Sequence, residues 1–395
     1  MKKVLTILVL CVVALCLLGL VMLYSTAFKP ADLPRFRLQL DYLAAGLLLV
    51  PTLVRMDYGW LNQRPVLWVM GTVCFVLLLA VFIPGVGIQV NGANRWVRGA
   101  GQPSEFAKPV VITLLAAYLA RLTNSVCRPG ALTGQAYQAA AQRKTDDFKR
   151  SFLIPLLVGG VPALLIFAEQ DWGTATLFGM ITLALLLLAG ARWSFLALTL
   201  TGAVSSLIVL VAFNPLRLER FLVFLDPEGH RRGAGWQIWQ SLLAIGSGGV
   251  GGHFLDGSLH KYGYVPEQQT DFIFACIGEE TGLWGSSVVL LLYLGILLCG
   301  LHILSHARDR FGYFLAAGCT TAITLQACIN VAVATSLVPN KGLPLPFMSY
   351  GGSSLLAMFI CIGLLGSVAW HSHPGRVPLR NSARHQPSAV QLVMF

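Results

Sequence analysis

Long apolar runs, separated by short polar breaks, recur from one end of the chain to the other. A hydrocarbon core about 30 Å thick takes about 20 mostly apolar residues per helix, and the chain offers about ten runs of that kind. The pattern therefore predicts an all-α, polytopic membrane protein with about ten transmembrane helices. The predicted spans are residues 4–24, 40–54, 66–84, 106–122, 152–168, 173–190, 193–213, 272–304, 312–338 and 354–369.

The amino-acid composition agrees with this pattern and excludes a water-soluble protein. Hydrophobic residues make up 56% of the chain and charged residues 11%, with a mean hydropathy of +0.70, whereas soluble domains carry about 25% charged residues. The net charge of +11 is typical of cytoplasmic loops that face anionic lipid, and no basic stripe with aromatic residues points to nucleic acid. We expect residues 1–370 to form one transmembrane domain and residues 371–395 a short polar cytoplasmic tail.

The distribution of Lys and Arg among the loops predicts that both termini are cytoplasmic. Three loops on the predicted outer side, residues 85–105, 214–271 and 339–353, are rich in Gly, Pro, Trp and charge. The second is a large extracytoplasmic loop between the seventh and eighth helices. Compact loops longer than about 15 residues tend to be functional, so we expect chemistry at the outer leaflet.

The first outer loop and the start of the fourth helix carry Arg95, Ser104, Glu105 and Lys108. Ser104 is predicted to cap this helix, and Glu105 in its first turn would complement the positive end of the helix dipole. Arg95, Lys108 and free helix N–H groups would form a good diphosphate site. The alternative is an interfacial role, with the basic side chains near lipid head groups.

Asp271 ends the large outer loop, directly before an apolar run. We predict that Thr270 caps the eighth helix and that Asp271 lies in its first turn, partly desolvated but within reach of a substrate hydroxyl. Burial raises the pKa of a carboxylic acid, which makes its carboxylate a better base. Glu279, about two turns further along, is expected on the same face. The alternatives are an acid that only complements the helix dipole, for Asp271, and a polar packing contact, for Glu279.

Three further segments are each open to two interpretations. Lys341, in a proline-rich outer loop, would either bind an anion or extend from a rigid plug to the head groups. Glu169 and Asp171, in a tight turn, would either face the protein interior or cap helices in a wet turn. Residues 246–251 match Gly-x-Gly-x-x-Gly by letter, but no strand surrounds them, so we expect flexible backbone near a head group and no dinucleotide site.

Several motifs occur together along the chain. They are Asn91-Gly-Ala-Asn-Arg-Trp96, Gln102-Pro-Ser-Glu-Phe-Ala-Lys108, Pro266-Glu-Gln-Gln-Thr-Asp-Phe-Ile-Phe274, Gly278-Glu-Glu280 and Gly342-Leu-Pro-Leu-Pro-Phe-Met-Ser-Tyr-Gly-Gly-Ser-Ser354. This set resembles the SEDS proteins of shape, elongation, division and sporulation, over nearly the whole chain. The resemblance implies a peptidoglycan glycosyltransferase that polymerises lipid II and works with a class B penicillin-binding protein, which supplies transpeptidation.

The resemblance also assigns residues. The family's essential carboxylate falls on Asp271, and its basic residues fall on Arg95, Lys108 and Lys341. Division members of the family (FtsW) are more similar than elongation members (RodA), which implies the bacterial cytoplasmic (inner) membrane, at the division septum. One departure is Glu169-Gln-Asp-Trp-Gly173, which replaces the family's usual Gln-Pro-Asp-Leu-Gly, so no role carries over to that turn.

Together these residues predict one reaction, in which Asp271 takes the proton from the GlcNAc 4-hydroxyl of lipid II. A divalent cation, Mg²⁺ or Mn²⁺, is the only cofactor expected. The expected partners are lipid II, the undecaprenyl-diphosphate-linked glycan, the class B penicillin-binding protein and divisome proteins. Two alternatives remain, a lipid II flippase and a non-catalytic division scaffold. The residues expected to bind the diphosphate or line its site are Arg95, Lys108, Lys341, Glu105 and Glu279.

Overall fold

A computed structural model describes residues 1–26, 33–90, 93–99, 101–124, 148–213, 215–233, 235–253, 269–340 and 342–372. Helices occupy every predicted span, and a two-stranded antiparallel hairpin lies between the third and fourth of them. The elements are α1 (Lys2–Thr26), α2 (Leu33–Arg55), α3 (Arg64–Ala80), β1 (Gly87–Val90), β2 (Ala93–Val97), α4 (Pro103–Asn124), α5 (Ile154–Ala168), α6 (Trp172–Leu188), α7 (Trp193–Ala212), α8 (Pro215–Leu225), α9 (Trp236–Gly248), α10 (Ile273–Ser305), α11 (Arg310–Ala334) and α12 (Gly352–His371).

The all-α, multi-pass architecture is confirmed. Within the described ranges, 7 helices are long and apolar enough to cross a membrane, and shorter apolar helices occupy the other predicted spans at α3, α6 and the first part of α7. The large loop between α7 and α10 contains the helices α8 and α9. The number of crossings and the cytoplasmic position of both termini stay predictions, and the predicted tail lies outside the described residues from position 373 onward.

The β-hairpin was not predicted. Val90 pairs with Ala93, and Gly87 pairs with Val97, so two residues, Asn91 and Gly92, connect the strands. An Asn-Gly dipeptide between alternating residues is a strong sequence signal for a two-residue hairpin turn. This signal for the hairpin is therefore present in the chain itself.

Helix α11 lies at the centre of the bundle, where it packs against α4, α6, α10 and α12, while α1 packs against α10 and α2 against α12. Large apolar side chains on the outer surfaces of α3 and α7 are exposed, with Trp68 and Trp193 each about three-quarters accessible. A bundle that exposes apolar groups outward and buries charged groups inside is suited to lipid surroundings.

Helix α10 is broken. Gly282 has φ 62° and ψ −157°, so the helix axis is interrupted within the predicted 33-residue span. The glycine-rich segment after α9 fills this break: Leu283 N donates to Gly249 O at 3.0 Å, and His253 N donates to Glu279 O at 3.1 Å. The prediction of flexible backbone is therefore wrong, because Gly248 and Gly252 permit close contact between two backbones. The position of the segment relative to the lipid head groups stays a prediction.

Candidate active site

Asp271 lies just before α10 and is partly exposed. The helix begins at Ile273, and its N-cap residue is Phe272. The prediction that Thr270 is the cap and that Asp271 lies in the first turn is wrong by two residues. The physical reason is packing, because the side chain of Phe272 is 0% exposed and its burial fixes where the helix starts.

The backbone of Asp271 is held by α11. Asn330 Nδ2 donates to Asp271 O at 2.8 Å and to Leu343 O at 2.7 Å. Gly342 lies against the carboxylate, since a Cβ built on this glycine would be 2.7 Å from Asp271 Oδ2. The 342–346 segment therefore forms a wall beside the carboxylate, and only glycine leaves room for it there.

Lys108 and Glu105, both on α4, form a buried ion pair. Lys108 Nζ donates to Glu105 Oε1 at 2.8 Å, to Glu105 Oε2 at 2.7 Å and to Gln326 Oε1 at 2.7 Å. An ammonium group has three N–H donors, so every donor of Lys108 is used inside the protein. Ser104, the predicted cap, lies within the helix, and its hydroxyl has no hydrogen-bond partner among the described residues.

The turn between α5 and α6 accepts hydrogen bonds from Arg95 and Gln102. Arg95 Nη2 donates to Gln170 O at 2.6 Å, and Gln102 Nε2 donates to Asp171 Oδ2 at 3.0 Å. Asp171 also caps α6, since its Oδ1 accepts from Thr174 N at 3.1 Å. Capping by Asp171 is thus confirmed; the side chains of Glu169 and Asp171 are buried, whereas Gln170 between them is exposed.

Glu169 is the least satisfied charged group of this turn. Its side chain is 1% exposed, and neither carboxylate oxygen has a hydrogen-bond partner in the described part of the chain. Burial, together with the charge of Asp171, raises the pKa of Glu169 to about 8, although Arg95 opposes the shift. Burial also raises the pKa of Asp171, against the lowering effects of Arg95 and the Thr174 N–H.

Gln170 shows why this turn departs from the family pattern. It has φ 64°, in the left-handed region. Proline, which the resembling family usually carries here, is restricted to φ near −65°. The Gln170 carbonyl that accepts from Arg95 is therefore presented by a turn that a proline at this position would not form.

The 342–346 segment contacts Asp271, the α5–α6 turn and the residues around the Glu105–Lys108 pair. A Cβ built on Gly173, at the start of α6, would be 3.5 Å from Gly342 O, and Pro344 O accepts from Gln326 Nε2 at 2.8 Å. The structure thus brings together Asp271, the Arg95 turn and the ion pair of α4. These groups lie on segments far apart in the sequence, as expected of an active site built on several loops.

The structure does not place two of the predicted residues at this site. Glu279 is buried in the segment of α10 before the break, next to Glu280, which accepts from Ser25 Oγ at 2.6 Å. Lys341 lies outside the described residues. Within the residues that can be described, no three His, Cys, Asp or Glu side chains group so as to hold a metal ion, and the Mg²⁺ or Mn²⁺ requirement stays a prediction.

Sequence reasoning missed Gln102, Gln326 and Asn330. The signal for the last two was available, because they are uncharged polar residues four apart in an otherwise apolar span and therefore share one helix face. The signal for Gln102 was its place directly before Pro103, at the start of α4.

Known proteins resemble this chain in sequence and in fold. A family model described as cell cycle protein, covering FtsW, RodA and SpoVE, matches residues 5–373. The chain belongs to the FtsW/RodA/SpoVE family. This family member is 40% identical over 372 residues to the probable peptidoglycan glycosyltransferase FtsW of Alkalilimnicola ehrlichii, covering 91% of this chain and 87% of the relative. It is 36% identical over 368 residues to stage V sporulation protein E of Bacillus subtilis, covering 90% of this chain and 94% of the relative.

Solved structures show the same fold as this FtsW/RodA/SpoVE protein. One is described as "Structural coordination of polymerization and crosslinking by a peptidoglycan synthase complex", with a TM-score of 0.74, 26% identity, and coverage of 93% of this chain and 98% of the other. Another is the rod shape determining protein RodA of Thermus thermophilus, with a TM-score of 0.63 and 25% identity. The match covers 92% of this chain and 95% of the other.

Proposed function

We propose that this chain is a peptidoglycan glycosyltransferase that polymerises lipid II into glycan strands at the outer face of the cytoplasmic membrane. Family membership and the names of the FtsW relatives support the reaction class. The observation that carries the proposal is the position of Asp271: a partly exposed carboxylate where the 342–346 segment, α11 and the start of α10 converge.

Asp271 acts as the general base. An acceptor sugar hydroxyl attacks the anomeric carbon of a lipid-diphosphate-linked glycan, and its proton moves to the Asp271 carboxylate as the new glycosidic bond forms. The bond to the diphosphate breaks, and the leaving group departs with its negative charge. Asn330 holds the backbone of Asp271, and Lys108 is already paired with Glu105.

The leaving diphosphate needs positive charge nearby. Arg95 supplies it: its side chain is partly exposed, one Nη group donates to Gln170 O, and its buried Nε has no hydrogen-bond partner among the described residues. Lys341 is the second cation of this proposal. Lys108 contributes indirectly, because its three donors already bind Glu105 and Gln326, and it sets the position of these two side chains.

The test is Asp271→Asn, purified with its class B penicillin-binding protein and supplied with lipid II. Because general-base catalysis contributes about 10²- to 10⁴-fold, polymerisation should fall by at least about 10²-fold, or about 2.7 kcal/mol of barrier. Glu228→Gln, the same change of acid to amide at an exposed position of the loop after α8, is the matched control and should keep full activity. Near-full activity of Asp271→Asn would refute the assignment.

A lipid II flippase is the second candidate, favoured by the broken α10 and the buried acids Glu279 and Glu280 beside the break. The products separate the two functions. Glycan polymer on a gel supports the polymerase, whereas exchange of labelled lipid between leaflets without any polymer supports the flippase.

The proposed partner is a class B penicillin-binding protein, and the proposed place is the division septum. The fold shared with a chain of a complex that couples polymerisation and crosslinking supports the partner, and the FtsW names of the relatives support the division role. A fluorescent fusion at midcell would support septal synthesis, whereas a signal along the lateral wall would favour elongation.

A further inference from the structure

Two amide side chains of α11, Gln326 and Asn330, are buried at the centre of the bundle, 0% and 1% exposed. They are four residues apart and therefore lie on one face of the helix. An amide inside an apolar helix is unfavourable unless it is hydrogen-bonded, and a leucine would fill a similar volume without that cost. Packing alone therefore does not account for these residues.

Asn330 uses both of its hydrogens to join two distant segments. Its Nδ2 donates to the carbonyl of Asp271, 59 residues earlier, at 2.8 Å, and to the carbonyl of Leu343, 13 residues later, at 2.7 Å. Because both neighbours are carbonyls, the amide nitrogen must face them. Its Oδ1 has no hydrogen-bond partner among the residues described. The side chain therefore contributes only the two hydrogen bonds that it donates.

Gln326 binds the next residue of the same segment. Its Nε2 donates to Pro344 O at 2.8 Å, and its Oε1 accepts from Lys108 Nζ at 2.7 Å. The two amides thus bind consecutive carbonyls of the 342–346 segment. Prolines within this segment remove backbone donors, so side chains from α11 supply the hydrogen bonds that a regular element would supply itself.

The position of this segment defines the space beside the catalytic residue, because Gly342 lies directly against the Asp271 carboxylate. We propose that Asn330, assisted by Gln326, is a positioning residue that sets the Asp271 carboxylate and the 342–346 wall at one fixed separation for the acceptor hydroxyl. This inference rests on the proposed glycosyltransferase function. A displacement of about 1 Å in such a site can cost about 10²-fold in rate.

The first experiment is Asn330→Leu, assayed with lipid II and the partner transpeptidase. We expect kcat to fall about 10²-fold while KM changes less than about threefold, because positioning affects the transition state more than substrate binding. Thr320→Val is the matched control: Thr320 is a buried polar residue of the same helix whose hydroxyl has no hydrogen-bond partner in the described ranges. It should keep both constants. Asn330→Ser, a smaller polar change, replaces Asn330→Leu if the latter does not fold.

The second experiment places Asn330→Leu in the Asp271→Asn background. If Asn330 acts through the carboxylate, the second change should cost less than about threefold there, since residues that act as a unit are not additive. Wild-type kcat in Asn330→Leu or Asn330→Ser, a loss confined to KM, or an equal loss in both backgrounds would overturn the positioning role. Full activity of Asp271→Asn alone would instead refute the proposed function, so the two failures are distinct.

Discussion

Glu169→Gln should remove a dependence of stability on pH that this chain carries at the turn between α5 and α6. The substitution restores the residue that the family pattern usually has at this position. It keeps the shape of the side chain and removes the carboxylate, which is 1% exposed and has no hydrogen-bond partner on either oxygen within the described residues. The reason for the effect is that a charge at this site is neither solvated nor directly bonded.

The magnitude follows from the shift of the pKa of Glu169 from its ordinary value of 4.5 to about 8 in the folded protein. Between these two values the folded protein holds a proton that the unfolded chain has lost. Stability therefore falls as pH rises through this window, by at most about 1.4 kcal/mol per pH unit, and is level again above about pH 8. Glu169→Gln lacks this slope, so its advantage over the natural chain should grow between pH 5.5 and pH 7.5.

The assay is thermal denaturation of the purified protein in detergent, at matched ionic strength, in steps of one pH unit from 5.5 to 8.5. Glu228→Gln, at an exposed position, should follow the natural chain at every pH. The reasoning would be refuted if Glu169→Gln gave the same difference at pH 5.5 and 7.5. It would also be refuted if the natural chain became relatively more stable as pH rises, which would mean that an ionised Glu169 paired with Arg95 is the favoured state.

Two other changes test the packing of the site. Lys108→Met leaves Glu105 buried without its partner and should cost about 3 to 5 kcal/mol, seen as a large drop in thermal stability; an unchanged melting temperature would contradict the buried pair. Gly282→Ala, at φ 62° and with a Cβ only 2.5 Å from Gly252 N, should cost at least about 1 to 3 kcal/mol. Gly179→Ala, with no atom within 4 Å of its Cβ, should not destabilise, and equal melting temperatures for both variants would argue against the break in α10.

The sequence predicted the helices well because a membrane-spanning helix requires a continuous apolar run of residues. Such a run can be recognised without information on the neighbouring helices. It also located Arg95, Lys108 and Asp271 as candidate residues from their charge beside apolar segments. It placed Asp271 two residues too far into the helix, because the boundary is set by burial of Phe272. That burial depends on neighbours which are distant along the chain.

Charge alone also gave Lys108 too simple a role. A lysine next to an outer loop looks like a ligand for an anion, but its three donors are taken by Glu105 on the same helix and Gln326 on another. Likewise, residues 246–251 were expected to be flexible, whereas a Cβ on Gly248 would collide with Gly278 O, and one on the neighbouring Gly252 would collide with Glu280 O. Glu105 and Lys108 are three residues apart on one helix, so that pair was open to prediction from the sequence, whereas the contacts with Gln326 and with the broken α10 join distant segments.

The amino-acid sequence by itself determined that this is a membrane protein, which segments are helical and which charged residues are candidates for the active site. The reason is that hydropathy and charge are local properties. Only the tertiary structure decided which of those charges are neutralised by a partner and which amides hold Asp271 against the 342–346 segment. Several of these contacts join positions that are far apart in the sequence, 59 apart for Asp271 and Asn330 and 218 apart for Lys108 and Gln326, and they exist only once the helices have packed.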